Sequence, residues 1–328
     1  MSIFGGGNIL CISALRFISM GMIIACHFCQ YHNNELAWWL NIGVQCFFIL
    51  SGFLYGTKKI SEPIKWLSRN FVKVLIPYYT FLICALALYV CFTPSSLQIK
   101  SVVKAVFCVG TIDGLGHLWF VGYILFCYFL TPFLFKFSEY IEKRNLKSQL
   151  GRIFGLLVVY MILGMLTQSY FKPDRVLCYL VGYFSSFLIQ KHGVIVLKWI
   201  LWSCVPLAFL SKFSYVYYKF IEPNISLCSP MYRLSHIFMG TAVTFVLMFL
   251  LMKVKLLKCS KLLTYSDKYS YSVYLVHQLF ILSPLTLMTV VENKWLSMLI
   301  ILFVIILSAL LLHWFSSKMF CLFKSNIK

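Results

Sequence analysis

The run ILCISALRFISMGMIIACHFCQ, residues 9–30, decides the fold. A helix needs about 20 apolar residues to cross a hydrocarbon layer, and this run supplies them while holding Arg16 and His27 inside. Each ionisable group in such a span costs a few kcal/mol on insertion scales, which makes both functional candidates. They lie 11 residues apart; at about 100° per residue that is three turns plus roughly 20°, so they share one face, roughly 16 Å apart along the axis. The competing account has Arg16 snorkelling to headgroups and His27 hydrogen-bonded in packing. The leader, with Gly5, Gly6 and Gly7, has neither a basic n-region nor a small-residue cleavage site, so the run reads as a retained first helix.

The rest of the chain repeats the pattern. Its 328 residues are 61% hydrophobic and 12% charged, with mean hydropathy +0.86, which excludes a water-soluble protein. Apolar segments near 10–30, 38–57, 71–92, 117–137, 153–170, 176–190, 194–211, 232–252, 269–291 and 295–315 predict an all-α polytopic membrane protein, a bundle of about ten transmembrane helices. The fifth to seventh are the weakest, since 176–190 is short and Pro206 interrupts the next. A stretch near 101–110 reads as re-entrant or interfacial. The net charge of +20 would suggest nucleic acid in a soluble chain; here the basic residues sit between spans, where they set orientation, and nucleic-acid binding is excluded.

Cytoplasmic loops carry the excess of Lys and Arg. The even-numbered loops hold Lys58, Lys59, Lys65, Arg69, Lys143, Arg144, Lys147, Arg152, Lys191, Lys253, Lys255, Lys258, Lys261 and Lys268, and the C-terminal tail Lys318, Lys324 and Lys328. The odd ones hold only Lys100, Lys104, Lys172, Arg175, Lys212, Lys219 and Lys294. Both termini are therefore expected in the cytoplasm, with 1–328 forming a single transmembrane domain and no fused soluble one.

Four other segments carry possible chemistry. Phe47-Phe48-Ile49-Leu50-Ser51-Gly52-Phe53 sets a small pair among bulky residues, where a neighbouring helix or a ligand can approach closely. The basic cluster from Lys58 through Lys65, Arg69 and Lys73 suits lipid headgroups or the phosphates of a nucleotide-bearing donor. Gly116-His117-Leu118-Trp119 opens the fourth span, with His117 expected at the depth of His27; Ser270-Tyr271-Ser272-Val273-Tyr274-Leu275-Val276-His277 lines the ninth with hydroxyls and an imidazole. Thirteen cysteines behave as small hydrophobes; the lone C-x-x-C, Cys26 and Cys29 around His27, has no second pair and reads as packing, so no metal site is expected.

These pieces, in this order, resemble acyltransferase family 3 membrane proteins, which include O-acetyltransferases of bacterial surface polysaccharides. The basic residue, ten residues and His of the first helix are similar to the family's most specific motif, and Phe47 to Phe53, His117 to Phe120 and Tyr271 to His277 are similar to three further segments. One departure stands in the loop before the third span: the family commonly has Arg-x-x-Arg, and this chain has Asn70 where the first Arg belongs, with Arg69 beside it and Lys73 at the second position. The resemblance implies transfer of an acetyl group from cytoplasmic acetyl-CoA, a substrate rather than a bound cofactor, to a hydroxyl of a glycan or lipid-linked oligosaccharide at a bacterial inner membrane. His27 would be general base or acyl carrier and Arg16 its partner on the helix face. Arg69 and Lys73 would hold the donor, while Ser51, His117, Trp119 and His277 would bind substrate or serve structure. A polysaccharide polymerase or flippase and a small-molecule transporter are the other classes, distinguished by larger outer loops or by inverted repeats.

Overall fold

The structure, a computed structural model, describes residues 6–166, 173–254 and 260–324; Lys172, Lys255, Lys258 and Lys328 lie outside the described residues. Among these there is no strand. The helices are α1 (Gly6–Tyr31), α2 (Ala37–Leu40), α3 (Gly43–Tyr55), α4 (Pro63–Phe92), α5 (Ile99–Val106), α6 (Trp119–Glu142), α7 (Leu146–Leu166), α8 (Pro173–His192), α9 (Val194–Val216), α10 (Ile225–Leu251), α11 (Ser260–Ile281) and α12 (Lys294–Lys324).

Among the described residues, eight helical segments are long and apolar enough to cross a membrane: α1, α2 with α3, α4, α6, α7, α9, α10 and α12. The other two segments expected from the sequence, α8 and α11, are helices of 20 and 22 residues whose polar content keeps them below that measure. For α8 the reason is burial: Val176–Leu180 and Gly182–Ile189 are enclosed by protein, so Ser185 and Ser186 meet side chains rather than lipid and need not be apolar. By contrast α9 and α12 expose Trp202, Phe209, Phe213, Leu299, Phe303 and Leu307, a surface that only a hydrocarbon solvent tolerates at this extent. The chain is a multi-pass membrane protein.

Most helices run several residues past the segments expected from hydropathy, and three differences have a local cause. The second segment is broken at Asn41 into α2 and α3. Pro206 does not interrupt α9, which continues to Val216, because a proline removes one N–H and neighbouring helices can re-satisfy the freed carbonyl. The ninth segment stops at Ile281, ten residues early, where Ser283 Oγ accepts from Leu285 N–H and Pro284 cannot continue the ladder. The stretch near 101–110 contains α5, a short helix with Ile99, Val103 and Val106 exposed, tied to α4 by Tyr78 and Tyr79 hydroxyls donating to Ala105 and Val106 carbonyls.

The chain divides into two compact units, residues 1–19, 42–60 and 130–264, and residues 20–41, 61–129 and 265–328. In the first, α8 packs against α3, α7, α9 and α10. Gly52 on α3 and Gly56 just past its end meet the α8 backbone at Tyr179 and Tyr183, and Gly182 on α8 meets Ile49 in return. Tyr179 and Thr131 hydroxyls bond at 2.6 Å in the same interior. In the second, α12 runs along α4, and Tyr271 on α11 donates to the Val74 carbonyl on α4.

Candidate active site

The second unit assembles three histidines that are far apart in sequence. The His277 ring lies 5.1 Å from that of His27 and 5.1 Å from that of His117, centre to centre. His27 comes from α1 and is half-buried; its Nδ1 is 2.6 Å from Gln30 Oε1, one turn further on. An amide oxygen only accepts, so Nδ1 carries the hydrogen and Nε2 the lone pair. His277 on α11 is wholly buried, with Nδ1 2.6 Å from the Tyr274 carbonyl.

His117 is placed by the turn before α6. Gly114 takes φ +70 and packs on Ser283 and Pro284, just beyond α11; a Cβ there would be strained as well as crowded. Gln278 Oε1 then accepts from His117 N–H at 2.7 Å and lies 2.6 Å from His117 Nδ1, while His117 Nε2 faces the Leu275 carbonyl at 2.9 Å. The Tyr274 hydroxyl donates to the His117 carbonyl at 2.7 Å. These bonds staple the start of α6 to α11 and fix where His277 stands. Phe81, edge-on to His117 at 6.2 Å, closes one side and also lines an apolar groove of about 390 Å³ with Leu279 and Leu312.

Gln278 was not singled out by the sequence reading, whose run of hydroxyls ended one residue short of it. The signal was present: a second hydrogen-bonding side chain directly after His277 in the apolar stretch 273–281. Gln278→Leu keeps the size but leaves the buried His117 backbone N–H without its acceptor. It is expected to lower stability by about 1–3 kcal/mol, read as a reduced melting temperature of the detergent-solubilised protein; an unchanged melt would contradict the staple.

The other expected residues fall elsewhere. Arg16 lies on α1 in its first-unit portion, in one continuous helix with His27. Trp119 packs edge-on against Tyr123 and Phe120 of its own helix. Ser51 is buried on α3 beside Gly52, whose neighbour is the α8 backbone. Arg69 and Lys73 are exposed on α4, four apart and hence on one face. Asn70 turns inward, buried, and donates to the Trp66 carbonyl at 2.7 Å; an Arg in that orientation would bury its charge, which gives the departure from Arg-x-x-Arg a local reason. Beside this face Glu62 pairs with Lys65 at 2.8 Å, and the ammonium holds the Glu62 carboxyl below its ordinary range.

Cys26 donates to the Ala37 carbonyl at 3.2 Å and is a free thiol, as is Cys29. Among the described residues no group of three His, Cys, Asp or Glu side chains is arranged to hold a metal ion. What the histidine cluster offers is proton chemistry: two neighbouring imidazoles with Nε2 lone pairs.

No curated protein and no solved structure matches the chain. A family model described as the acyltransferase domain matches residues 9–314, nearly its whole length, and the chain accordingly belongs to acyltransferase family 3.

Proposed function

We propose that this membrane acyltransferase moves an acetyl group from cytoplasmic acetyl-CoA to a hydroxyl of a bacterial surface polysaccharide or its lipid-linked precursor. The observation that carries this is the convergence of His27, His117 and His277 from three separate segments, where a base for the hydroxyl is needed and no acidic partner is required. His27 Nε2 takes the hydroxyl proton as the oxygen attacks the thioester carbonyl, and the departing thiolate recovers it. Arg69 and Lys73 hold the donor's phosphates. Arg16, on the same helix, serves the donor's anionic part.

In this reading α8 and α11 also cross the inner membrane, giving ten spans with both termini in the cytoplasm. The first unit supports that arrangement. The C-terminal ends of α3, α6 and α8 gather Lys58, Lys59, Glu142 and Lys191 around one cavity of about 300 Å³, so the ends that precede the second, fourth and sixth loops share a side.

The test is acetyl transfer by the purified chain in proteoliposomes, with labelled acetyl-CoA and lipid-linked or polymeric glycan, and O-acetyl content read by NMR. Transfer by wild type, lost in Arg16→Ala at equal protein, is the expected result; no transfer to any glycan overturns the assignment. The Arg69→Ala, Lys73→Ala double variant should raise the KM for acetyl-CoA about tenfold, the loss of roughly 1.4 kcal/mol of charge-assisted binding, with kcat little changed. Because both cations are exposed, added salt should narrow the difference from wild type.

A further inference from the structure

The three imidazoles are not equivalent, and their hydrogen bonds separate them. His117 has a carbonyl oxygen against each ring nitrogen and presents none to a substrate. His277 donates from Nδ1 to the Tyr274 carbonyl, so its Nε2 holds the lone pair. That Nε2 is buried with no hydrogen-bond partner among the described residues, whereas buried polar atoms are ordinarily satisfied. His27 is the same tautomer, with Nδ1 bound to Gln30 and its lone pair on Nε2. Two acceptors thus stand on neighbouring rings 5.1 Å apart. Two lone pairs do not bond to each other, whereas one added proton between such rings can be shared as an N–H···N hydrogen bond.

We propose that His277 is a positioning residue that shares with His27 the proton taken from the acceptor hydroxyl. This rests on the acyl-transfer reading above. As the hydroxyl oxygen bonds to the thioester carbonyl carbon, its O–H bond breaks and the proton moves to His27 Nε2. The new Nε2–H donates to His277 Nε2, so the charge is divided over two rings while the tetrahedral intermediate lives. When the C–S bond breaks, the thiolate takes the proton and both rings return neutral. The titratable groups facing His277 are His27 from α1, His117 from the segment before α6 and Tyr274 from its own helix; none is a carboxylate or a fixed cation that would hold the proton elsewhere.

His277→Asn keeps a donor for the Tyr274 carbonyl and removes the atom at Nε2; His277→Gln places an amide oxygen near Nε2 that accepts a hydrogen bond but takes no proton. In lipid nanodiscs, His277→Asn should lower kcat about 10²-fold with the KM for acetyl-CoA unchanged, and His277→Gln should recover about tenfold of that. ¹⁵N-histidine NMR of the wild-type chain should show unprotonated Nε2 on both His27 and His277 and, on acidification, one proton bridging them that disappears in His277→Asn and in His27→Asn. Wild-type turnover in either His277 variant, or a His277 Nε2 that carries its own hydrogen at neutral pH, overturns the proposal; if one variant fails to fold, the other decides. Should the bridging proton appear while wild type acylates no glycan, the pair stands and the acyl-transfer reading is what fails.

Discussion

His27→Ala is expected to lower kcat for acyl transfer by about 10²–10⁴-fold, the contribution usual for a general base placed on the reacting proton. The effect should be nearly all on kcat, because the donor's charges are assigned to Arg16, Arg69 and Lys73. It should also leave the fold intact. His27 is half-buried and its hydrogen bond is to Gln30 on the same helix, so truncation strands no distant partner. His117→Ala is the instructive contrast, since it removes a staple between α6 and α11 and should lower both stability and rate. Labelled acetyl transfer at matched amounts of folded protein measures this, and a wild-type rate in His27→Ala would dismiss the histidine as the base. The same variant separates two chemistries. Release of free CoA without acceptor, abolished by His27→Ala, would mark an acyl-imidazole intermediate. Release only when the glycan hydroxyl is present is the expected result and marks direct transfer.

Residues 9–30 and the spans like them are legible because hydrocarbon imposes a length and a polarity that a string displays directly. Hydropathy located α1, the second through fourth segments and α12, and it flagged His27, His117 and His277 by their presence in apolar surroundings. That these three form one cluster was not legible: the contacts join residues 90 to 250 positions apart, and no periodicity encodes which helices become neighbours. Gln278 escaped because an amide is cheap enough in a protein interior not to stand out, although it supplies the acceptor that fixes His117. The polarity of α8 was misleading in the opposite direction. Hydropathy measures what faces lipid, and α8 faces protein on nearly every side, so its serines and tyrosines weaken the signal of a helix central to its unit. The small pair Ser51-Gly52 admitted both packing and a ligand; at Gly52 the neighbour is the backbone of α8.

That contact sets the largest stability effect. A Cβ on Gly52 would overlap the Tyr179 carbonyl oxygen and lie 2.9 Å from the Tyr183 nitrogen. Both are backbone atoms of α8, so no rotamer change relieves the overlap and the two helices must separate. The separation would spread, because Gly56 one turn later meets the Tyr183 carbonyl and Gly182 meets Ile49 from the other side; close small-residue packing of this kind is what holds helices together where lipid competes for every apolar surface. Two terms oppose each other in Gly52→Ala. Helix propensity favours Ala by about 1 kcal/mol, while overpacking costs about 1–3 kcal/mol and more when the obstacle is backbone. The obstacle here is backbone on both sides of the crossing, so destabilisation should win, and Gly52→Val, with two further carbons in the same space, should leave almost no monodisperse protein by size-exclusion in detergent. Gly155 on α7 supplies the control: an added Cβ meets nothing within 4 Å, so Gly155→Ala should melt at or slightly above the wild-type temperature. Equal melting of the two alanine variants would mean that α3 and α8 tolerate separation, and the glycine contact would lose its place as the core of the first unit.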